Sequence, residues 1–278
     1  MKINYRSLKF YKSNLFFKHG GKRLRKNIKS KRPTFSIITT VKNDKKKIEK
    51  TINSLLDQNF KNFEHIIIDA GSSDGTLDII RKYENKIEYW VSRKDKGIYH
   101  GFNDGIKLAR GDIIGIINSG DLYTKKALKI IDGYFNYQKP NFVFGTVKKK
   151  KVLFGYDKNK IKWSFNFYPA HSSGFFIKNE SQKKIGLYDT SFNCSADYDL
   201  FMKMILKYQM IGIATNKNEL IGKFEMGGFS QSITMIEHII EEGKIRIKNK
   251  QNTFYVILLS FLRIIRNLHQ LGLSKFFK

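Results

Sequence analysis

Cysteine, long apolar runs and a leader-like segment are scarce or missing in this sequence, and each absence narrows the class of protein. Cys194 is the single cysteine among 278 residues, so no disulfide can form within the chain, and the composition fits a reducing compartment. No stretch of about 20 apolar residues occurs, so we expect no membrane-spanning helix. The basic N-terminus lacks the apolar run of a secretory signal, so we expect no such signal.

Acidic side chains are also scarce. The sequence has 24 Asp and Glu residues against 52 Lys and Arg residues, a formal net charge of +28. Residues 1–32 contain 12 basic and no acidic side chains, and residues 234–278 contain 8 basic and 3 acidic ones. A basic surface attracts nucleic acid, anionic lipid or phosphorylated substrates, and each basic group near an anionic leaflet contributes roughly 1 kcal/mol. A lysine-biased genome is an equally good explanation of the excess.

The first half of the chain predicts alternating strands and helices in a globular fold, since 41% of the residues are hydrophobic and 27% are charged. The predicted strands cover 34–41, 63–69, 87–92 and 112–117, and the predicted helices cover 45–58, 76–83 and 97–109. This alternation predicts an α/β fold with a parallel sheet covered on both faces.

Polar residues cluster where each of these strands ends. The clusters lie at 40–43, 69–74, 95–97 and 118–121. Ligands of open α/β sheets bind beyond the carboxyl ends of the strands. Four clusters at four strand ends therefore predict a ligand site at that edge.

Beyond residue 121 the pattern changes to short strands and amphipathic helices. The predicted strands lie within 142–146, 148–154, 210–214 and 220–224, and the predicted helices cover 197–207, 233–249 and 253–273. The last helix is unusually apolar over half its length, which is typical of a helix lying in the membrane interface. Packing on the domain or in a dimer seam is the alternative.

Residues 69–76 (DAGSSDGT) close a strand and open a helix. Their glycines permit a tight turn, and the strand-end carboxylate of Asp69 can accept hydrogen bonds from a ribose or a base. The segment is neither a P-loop nor a Gly-x-Gly-x-x-Gly fingerprint. An ordinary capped turn, with Asp74 as a turn residue, is the alternative.

Residues 113–121 (IIGIINSGD) form an apolar strand that ends in the carboxylate of Asp121. Such a carboxylate can hold Mg²⁺ or Mn²⁺, which prefer oxygen ligands and are commonly completed by substrate phosphates. The alternative is a turn aspartate that caps the next helix, with Thr124 as a rival cap.

Residues 195–204 (SADYDLFMKM) place Asp197 and Asp199 at the start of a helix. Helix N-termini stabilise negative charge, so capping explains one of them. A carboxylate at the lip of a pocket can also act as a general base that takes a proton from a hydroxyl group. His171, which precedes Ser172-Ser173-Gly174, is a candidate for binding an acceptor or phosphate or for a structural role.

Taken in order, these segments resemble family-2 glycosyltransferases with the GT-A fold, especially those of bacterial surface polysaccharide synthesis. The matching segments are SIITTVKND, DAGSSDGT, DKGIYHGFNDGIKLARGDIIGIINSGD, HSSGFF and ADYDLFMK, and they span residues 34 to about 230. The resemblance implies a GT-A, Rossmann-like, mostly parallel central sheet flanked by helices, with a C-terminal amphipathic helical extension.

The resemblance also implies roles for individual residues. Those expected to bind the nucleotide sugar are Thr40, Lys42, Asp69, Asp95, Lys96 and Asn118. Asp121 is expected to hold the metal and Asp197 to be the catalytic base of an inverting transfer. His171 and Asp199 are expected on the acceptor side. The metal motif has a single carboxylate, so metal binding is expected to depend on the bound nucleotide.

The expected organisation is a basic N-terminal arm at 1–33, a GT-A domain at 34–232 and a helical extension at 233–278. The expected activity is sugar transfer from a UDP-, GDP- or dTDP-sugar to a glycan or polyprenyl-linked acceptor in polysaccharide or lipopolysaccharide synthesis, with Mn²⁺ or Mg²⁺. We expect a cytoplasmic protein, peripheral at the inner face of the plasma membrane and attracted to anionic lipid, and no nucleic-acid partner. The alternatives are a basic nucleic-acid-binding module, an inactive relative acting in assembly, and a nucleotidyltransferase.

Overall fold

The computed structural model describes residues 18–25, 32–94, 97–163, 172–224 and 234–266. Within these ranges the chain packs as two compact units. The sheet unit takes the described residues of Met1–Tyr156, Tyr168–Leu187 and Met210–Met226. The helical unit takes those of Asp157–Phe167, Tyr188–Gln209 and Gly227–Lys278.

Twelve described strands form two sheets in the sheet unit. They are β1 (Lys18–Gly20), β2 (Phe35–Val41), β3 (Phe63–Asp69), β4 (Tyr89–Ser92), β5 (Ile113–Ile116), β6 (Leu122–Tyr123), β7 (Phe142–Phe144), β8 (Thr146–Lys148), β9 (Val152–Leu153), β10 (Phe175–Lys178), β11 (Gly212–Ala214) and β12 (Leu220–Lys223). The central sheet has the order β1-β4-β3-β2-β5-β10-β7-β11, and the small sheet has the order β6-β12-β8-β9.

The four central strands β4, β3, β2 and β5 are parallel to one another. β1 joins one edge of this group antiparallel, and β10 joins the other edge antiparallel. β7 continues antiparallel from β10, and β11 lies parallel to β7. The parallel centre confirms the predicted α/β fold, and it brings the carboxyl ends of β2, β3, β4 and β5 to one edge.

The described α-helices are α1 (Ile48–Leu56), α2 (Thr76–Lys82), α3 (Ile98–Leu108), α4 (Ala127–Gln138), α5 (Lys160–Trp163), α6 (Asn179–Ile185), α7 (Ala196–Met202), α8 (Met235–Lys248) and α9 (Thr253–Arg266). The first three follow β2, β3 and β4, as the alternating pattern predicts. The sequence indicates α4 only as the helix that Asp121 or Thr124 could cap, without bounds, and it does not indicate α6. α4 nevertheless buries Ala127, Leu128, Ile131 and Phe135, which have helical spacing.

Helices cover both faces of β2, because its side chains alternate between two apolar environments. Phe35 and Ile37 pack in one buried cluster with Leu55 of α1. On the opposite face Ile38 meets α3 at Gly105, where an added Cβ would lie 2.3 Å from Ile38 Cγ2. Only glycine permits α3 to approach the sheet so closely.

The N-terminal segment differs from the predicted arm. Residues 18–25 contain β1, and Arg23 Nη2 lies 2.8 Å from Glu64 Oε2 inside the sheet unit. Arg110 binds the same carboxylate through Nε at 3.0 Å. Pairing between distant charges thus places part of the predicted arm, 1–33, in the sheet. The domain boundaries at 33/34 and 232/233 stay a prediction.

The helical unit combines α5 and α7 with the two C-terminal helices. α7 continues as a π-helix over Lys203–Lys207. Arg246 of α8 lies with its guanidinium carbon 5.3 Å from the Tyr198 ring centroid, and Arg263 of α9 pairs with Glu242 of α8. Among the described helices of both units, none is long and apolar enough to cross a membrane.

Candidate functional site

The loops after β2 and β3 are hydrogen-bonded to each other. Asn43 N donates to Ser72 Oγ at 2.8 Å, and Ser73 N donates to Asn43 Oδ1 at 2.9 Å. Asp74 Oδ2 accepts from Lys45 N at 3.0 Å, and its other oxygen accepts from Thr76 N at the start of α2. Asp74 is therefore a turn residue, as the alternative interpretation predicts. Its hydrogen bonds also connect the two loops at the carboxyl edge of the sheet.

Asp69 ends β3 and is fully buried. Its carboxylate accepts hydrogen bonds from Ser72 N at 3.0 Å, from Ser72 Oγ and from Ser92 Oγ of β4. These bonds hold the 70–75 loop in place. The predicted contact between Asp69 and a base or ribose stays a prediction, and the bonds seen here give Asp69 the role of ordering the loop.

Thr40 and Asn118 come together where β2 and β5 end. Thr40 Oγ1 donates to Asn118 Oδ1 at 2.8 Å, and Asn118 Nδ2 donates to Ser172 Oγ at 3.1 Å. Ser119 N donates to Thr40 O at 3.1 Å. Both side chains are half-buried, so this pair presents polar groups at the strand ends. Lys42 follows β2 directly and is exposed.

Asp121 lies in the turn that follows Asn118, with 2% of its surface exposed. Thr51 of α1 fixes this turn, because its hydroxyl donates to Asp121 O at 3.0 Å and accepts from Gly120 N at 2.9 Å. Gly120 has φ 95°, a conformation that favours glycine. Burial, and next the negative charge of Asp121, raise the pKa of Tyr123.

The residues present suit a divalent cation only together with a phosphate ligand. Among the residues that the structure describes, no group of three or more His, Cys, Asp and Glu is placed to hold a metal ion. Asp121 offers one buried carboxylate at the strand ends. Mg²⁺ is commonly held by one or two carboxylates plus substrate phosphates, so this single ligand fits a metal that arrives with a nucleotide diphosphate.

Asp197 and Asp199 lie in the first turn of α7, in the helical unit, and differ in their surroundings. Asp197 is half-buried, and its Oδ1 accepts from Tyr198 N at 2.9 Å. Asp199 is fully buried and binds Lys203 Nζ at 2.7 Å and Lys248 Nζ at 3.3 Å. The carboxylate of Asp199 is thus neutralised within its own unit, which favours the structural alternative over contact with an acceptor.

Three predicted site residues, Asp95, Lys96 and His171, lie outside the described residues. The sequence interpretation in turn missed the contributions of Thr51 and Ser72. Ser72 has a signal, since serine after a strand-end aspartate is typical of a side-chain turn. Thr51 has none, because a threonine within a helix does not reveal that its hydroxyl meets a turn 70 residues away.

A separate open groove runs beside α4. Its lining includes Asn59, Lys126, Tyr134, Tyr137 and Glu219. It contains none of the residues described at the strand ends and only one carboxylate. Because ligands of α/β sheets bind at the carboxyl edge of the strands, the polar turns at that edge are the candidate functional site.

Two bacterial relatives share part of this sequence. An uncharacterized glycosyltransferase of Mycobacterium tuberculosis is 28% identical over 193 residues, which cover 65% of this chain and 72% of the relative. The putative teichuronic acid biosynthesis glycosyltransferase TuaG of Bacillus subtilis is 33% identical over 101 residues, or 35% of this chain and 40% of the relative.

Solved structures share the fold at low sequence identity. Staphylococcus aureus TarS 1-349 in complex with UDP matches with a TM-score of 0.64 and 16% identity, over 85% of this chain and 72% of that one. The mannosyltransferase PcManGT from Pyrobaculum calidifontis, in complex with GDP-Man and Mn²⁺, matches with a TM-score of 0.61 and 13% identity, over 86% of this chain and 76% of that one.

The family itself is identified by sequence. The family description "Glycosyl transferase family 2" matches residues 36–207, well over half of the 278-residue chain. This range contains the strand-end turns as well as α7. The chain therefore belongs to glycosyl transferase family 2, and it has the GT-A fold.

Proposed function

We propose that this glycosyltransferase moves a sugar from a nucleotide-sugar donor to a hydroxyl group of a glycan or lipid-linked acceptor, with inversion at the anomeric carbon. The observation that carries the proposal is the set of polar turns at the carboxyl edge of the parallel strands, where Thr40 and Asn118 meet beside the turn of Asp121. The named relative from teichuronic acid synthesis supports a role in bacterial surface polysaccharide synthesis.

The donor side uses residues of the sheet unit. Thr40, Lys42 and Asn118 contact the nucleotide sugar, and Asp69 holds the loop that borders it. Asp95 and Lys96 border the diphosphate or the sugar. UDP and GDP-Man are bound by structural neighbours of this chain, which supports a nucleoside diphosphate as the carrier of the sugar.

A divalent cation, Mn²⁺ or Mg²⁺, would be held by Asp121, and the phosphates of the donor would complete its ligands. When bound, the cation neutralises charge on the leaving diphosphate. The burial of Asp121 and the hydroxyl of Thr51 keep the turn in one conformation, so the carboxylate does not have to be ordered when donor and metal arrive.

Asp197 is the general base of the transfer. It takes the proton from the acceptor hydroxyl while the oxygen attacks the anomeric carbon. The new glycosidic bond forms as the bond from the anomeric carbon to the phosphate oxygen breaks, and the nucleoside diphosphate leaves. Asp197 is half-buried and lies in the first turn of α7.

Replacing the base tests this assignment. We expect Asp197→Asn to reduce turnover ~10²–10⁴-fold, the usual worth of general-base assistance, and to leave nucleotide affinity unchanged. Release of UDP or GDP from UDP-GlcNAc and GDP-mannose measures turnover, and nucleotide titration measures nucleotide affinity. Asp132→Asn is the matched control, because Asp132 is a partly exposed aspartate on α4. Wild-type turnover in Asp197→Asn would remove Asp197 from the mechanism.

We further propose that the protein works on an anionic membrane surface, at the cytoplasmic face of the plasma membrane. One face of α9 is apolar and exposed, with Phe254, Ile257, Leu258, Phe261, Leu262 and Ile265 at helical spacing. Residues 243–278 contain eight basic and no acidic side chains. A second copy of the chain on this face would bring like charges together, whereas an anionic leaflet neutralises them.

A further inference from the structure

The backbone just before α7 is held by one carboxylate of α8. Glu241 Oε1 accepts from Asn193 N at 2.7 Å, and Glu241 Oε2 accepts from Cys194 N at 2.9 Å and from Ser195 N at 3.0 Å. Three consecutive N–H groups therefore converge on a single side chain from a segment 46 to 48 residues later in the sequence. Hydrogen bonds to an ionised acceptor are roughly twice as strong as neutral ones.

Further contacts support this arrangement. Cys194 Sγ lies 3.1 Å from Glu241 Oε2, and Ser195 Oγ lies 3.3 Å from His238 Nδ1, one turn earlier on α8. Burial raises the pKa of Glu241, but the hydrogen bonds from the three backbone N–H groups and from the Cys194 thiol together hold that pKa below its usual value. The carboxylate thus stays ionised and bonded at neutral pH.

The bonded segment leads directly into the proposed base. Ser195 is the N-cap of α7, and Asp197 is two residues further along. Because Asn193, Cys194 and Ser195 precede the helix, α7 cannot supply acceptors for their N–H groups from its own preceding turn. Among the residues that the structure describes, their acceptor is Glu241, so this side chain holds the backbone at which α7 begins.

We propose that Glu241 is a positioning residue for catalysis, which holds the start of α7 so that Asp197 meets the acceptor hydroxyl. This proposal rests on the proposed function, because it takes Asp197 as the base. Glu241 itself contacts no substrate. Its effect is on turnover, since a misplacement of about 1 Å can cost as much as ~10²-fold in rate.

A pair of substitutions on α8 separates positioning from mere stability. Glu241→Ala removes the three bonds. Glu237→Ala is the matched control one turn earlier, because Glu237 accepts from Thr234 N at 2.7 Å in the capping box of α8 and makes no described contact with residues 193–195. Both variants are expected to lower Tm, since each removes an anchor of the same helix.

Only Glu241→Ala is expected to change catalysis. Release of UDP from UDP-GlcNAc or of GDP from GDP-mannose should show a kcat about 10- to 100-fold lower, with the donor KM within about twofold of wild type. Amide hydrogen exchange of residues 193–195 should accelerate in Glu241→Ala and stay at the wild-type rate in Glu237→Ala. Glu241→Gln, which keeps the size and one acceptor oxygen, should have an intermediate kcat and replaces Glu241→Ala if that variant does not fold.

Asp197→Asn in the same assay distinguishes a failure of the positioning role of Glu241 from a failure of Asp197 as the base. If Asp197→Asn is inactive while Glu241→Ala has the kcat of Glu237→Ala, the positioning role is overturned and the proposed base stands. If Asp197→Asn keeps wild-type turnover, both are overturned. A fall in kcat in the Glu241 variants but not in Glu237→Ala, with Asp197→Asn inactive, supports the proposal.

Discussion

His65 is a buried side chain of β3 whose protonation should make the fold sensitive to acid. Its Nε2 lies 2.9 Å from Thr39 Oγ1. Burial, with a smaller contribution from the charge of Lys22, lowers the pKa of His65 to about 3. The unfolded chain has the ordinary histidine pKa of about 6.5. Below that pH the unfolded state therefore binds a proton that the folded state does not, and stability falls as the pH falls.

We expect His65 to contribute a loss of about 2 kcal/mol in the free energy of unfolding between pH 7 and pH 5. Urea denaturation at the two pH values measures it, with His65→Gln as the comparison, because glutamine can bond Thr39 but does not titrate in this range. The variant should lose correspondingly less stability than the wild type. Equal losses in the two proteins would show that the pKa of His65 is the same in the folded and unfolded states, which would contradict this prediction.

Residue by residue, the sequence predicts where the site lies better than what each side chain does. Asp69, Asn118 and Asp121 stand where the structure ends its central strands, because apolar β-branched runs followed by polar turns mark strand ends clearly. The bonds from Asp69 to Ser92 and from Glu241 to residues 193–195 have no sequence signal. They join segments brought together only by the complete fold, and sequence spacing carries no information on such contacts.

At the level of elements, local patterns predict the central strands and the helices that follow them. β1 is different, because its three residues carry no strand pattern. They form a strand because the edge of β4 is free to pair with them and because Arg23 forms an ion pair with Glu64 nearby. The apolar residues of α4 have helical spacing, but the turn-forming residues that precede the helix make this spacing hard to recognise. α9 is apolar, as predicted, and most of its large apolar side chains are exposed.

The exposed face of α9 predicts binding to anionic vesicles. Replacing Ile257 and Phe261 with glutamine removes two side chains whose full burial is worth about 1.5–3 kcal/mol each. Since a membrane interface buries them only partly, we expect the affinity for phosphatidylglycerol-containing vesicles to fall about 10- to 100-fold. Co-sedimentation at low salt measures this. Binding of the wild type should weaken with added salt, because the contribution of the basic side chains is screened.

Two apolar residues of the sheet unit that are more exposed than Ile257 and Phe261 provide the matched control. Tyr137 and Ile211 are 89% and 67% exposed, and their replacement by glutamine should leave vesicle binding unchanged. Unchanged binding in the α9 double variant would assign the apolar face to another partner. A concentration-dependent change in sedimentation velocity, lost in the same variant, would identify that partner as a second copy of the chain.

For the whole molecule, the parallel sheet and the family assign a glycosyl transfer reaction. The charge of +28 suits the proposed nucleotide-sugar donor and the proposed anionic membrane surface, because both are negatively charged. The helical unit contains Asp197 and the exposed helix α9, and α8 contacts both α7 and α9 within it. The proposed base, its positioning by Glu241 and the proposed membrane contact all serve a sugar transfer. That transfer requires the sheet unit to bind a nucleotide with a metal at Asp121.

The most direct measurement of that claim is the thermal stability of the full chain with UDP, GDP, CMP or dTDP, each with and without Mn²⁺. A ligand that binds only the folded state adds about 2.7 kcal/mol at 100 times its dissociation constant. We predict that one nucleotide raises Tm in a metal-dependent way and that Asp121→Asn abolishes the metal-dependent part. No shift with any nucleotide, or the same metal-dependent shift in Asp121→Asn, would contradict the account.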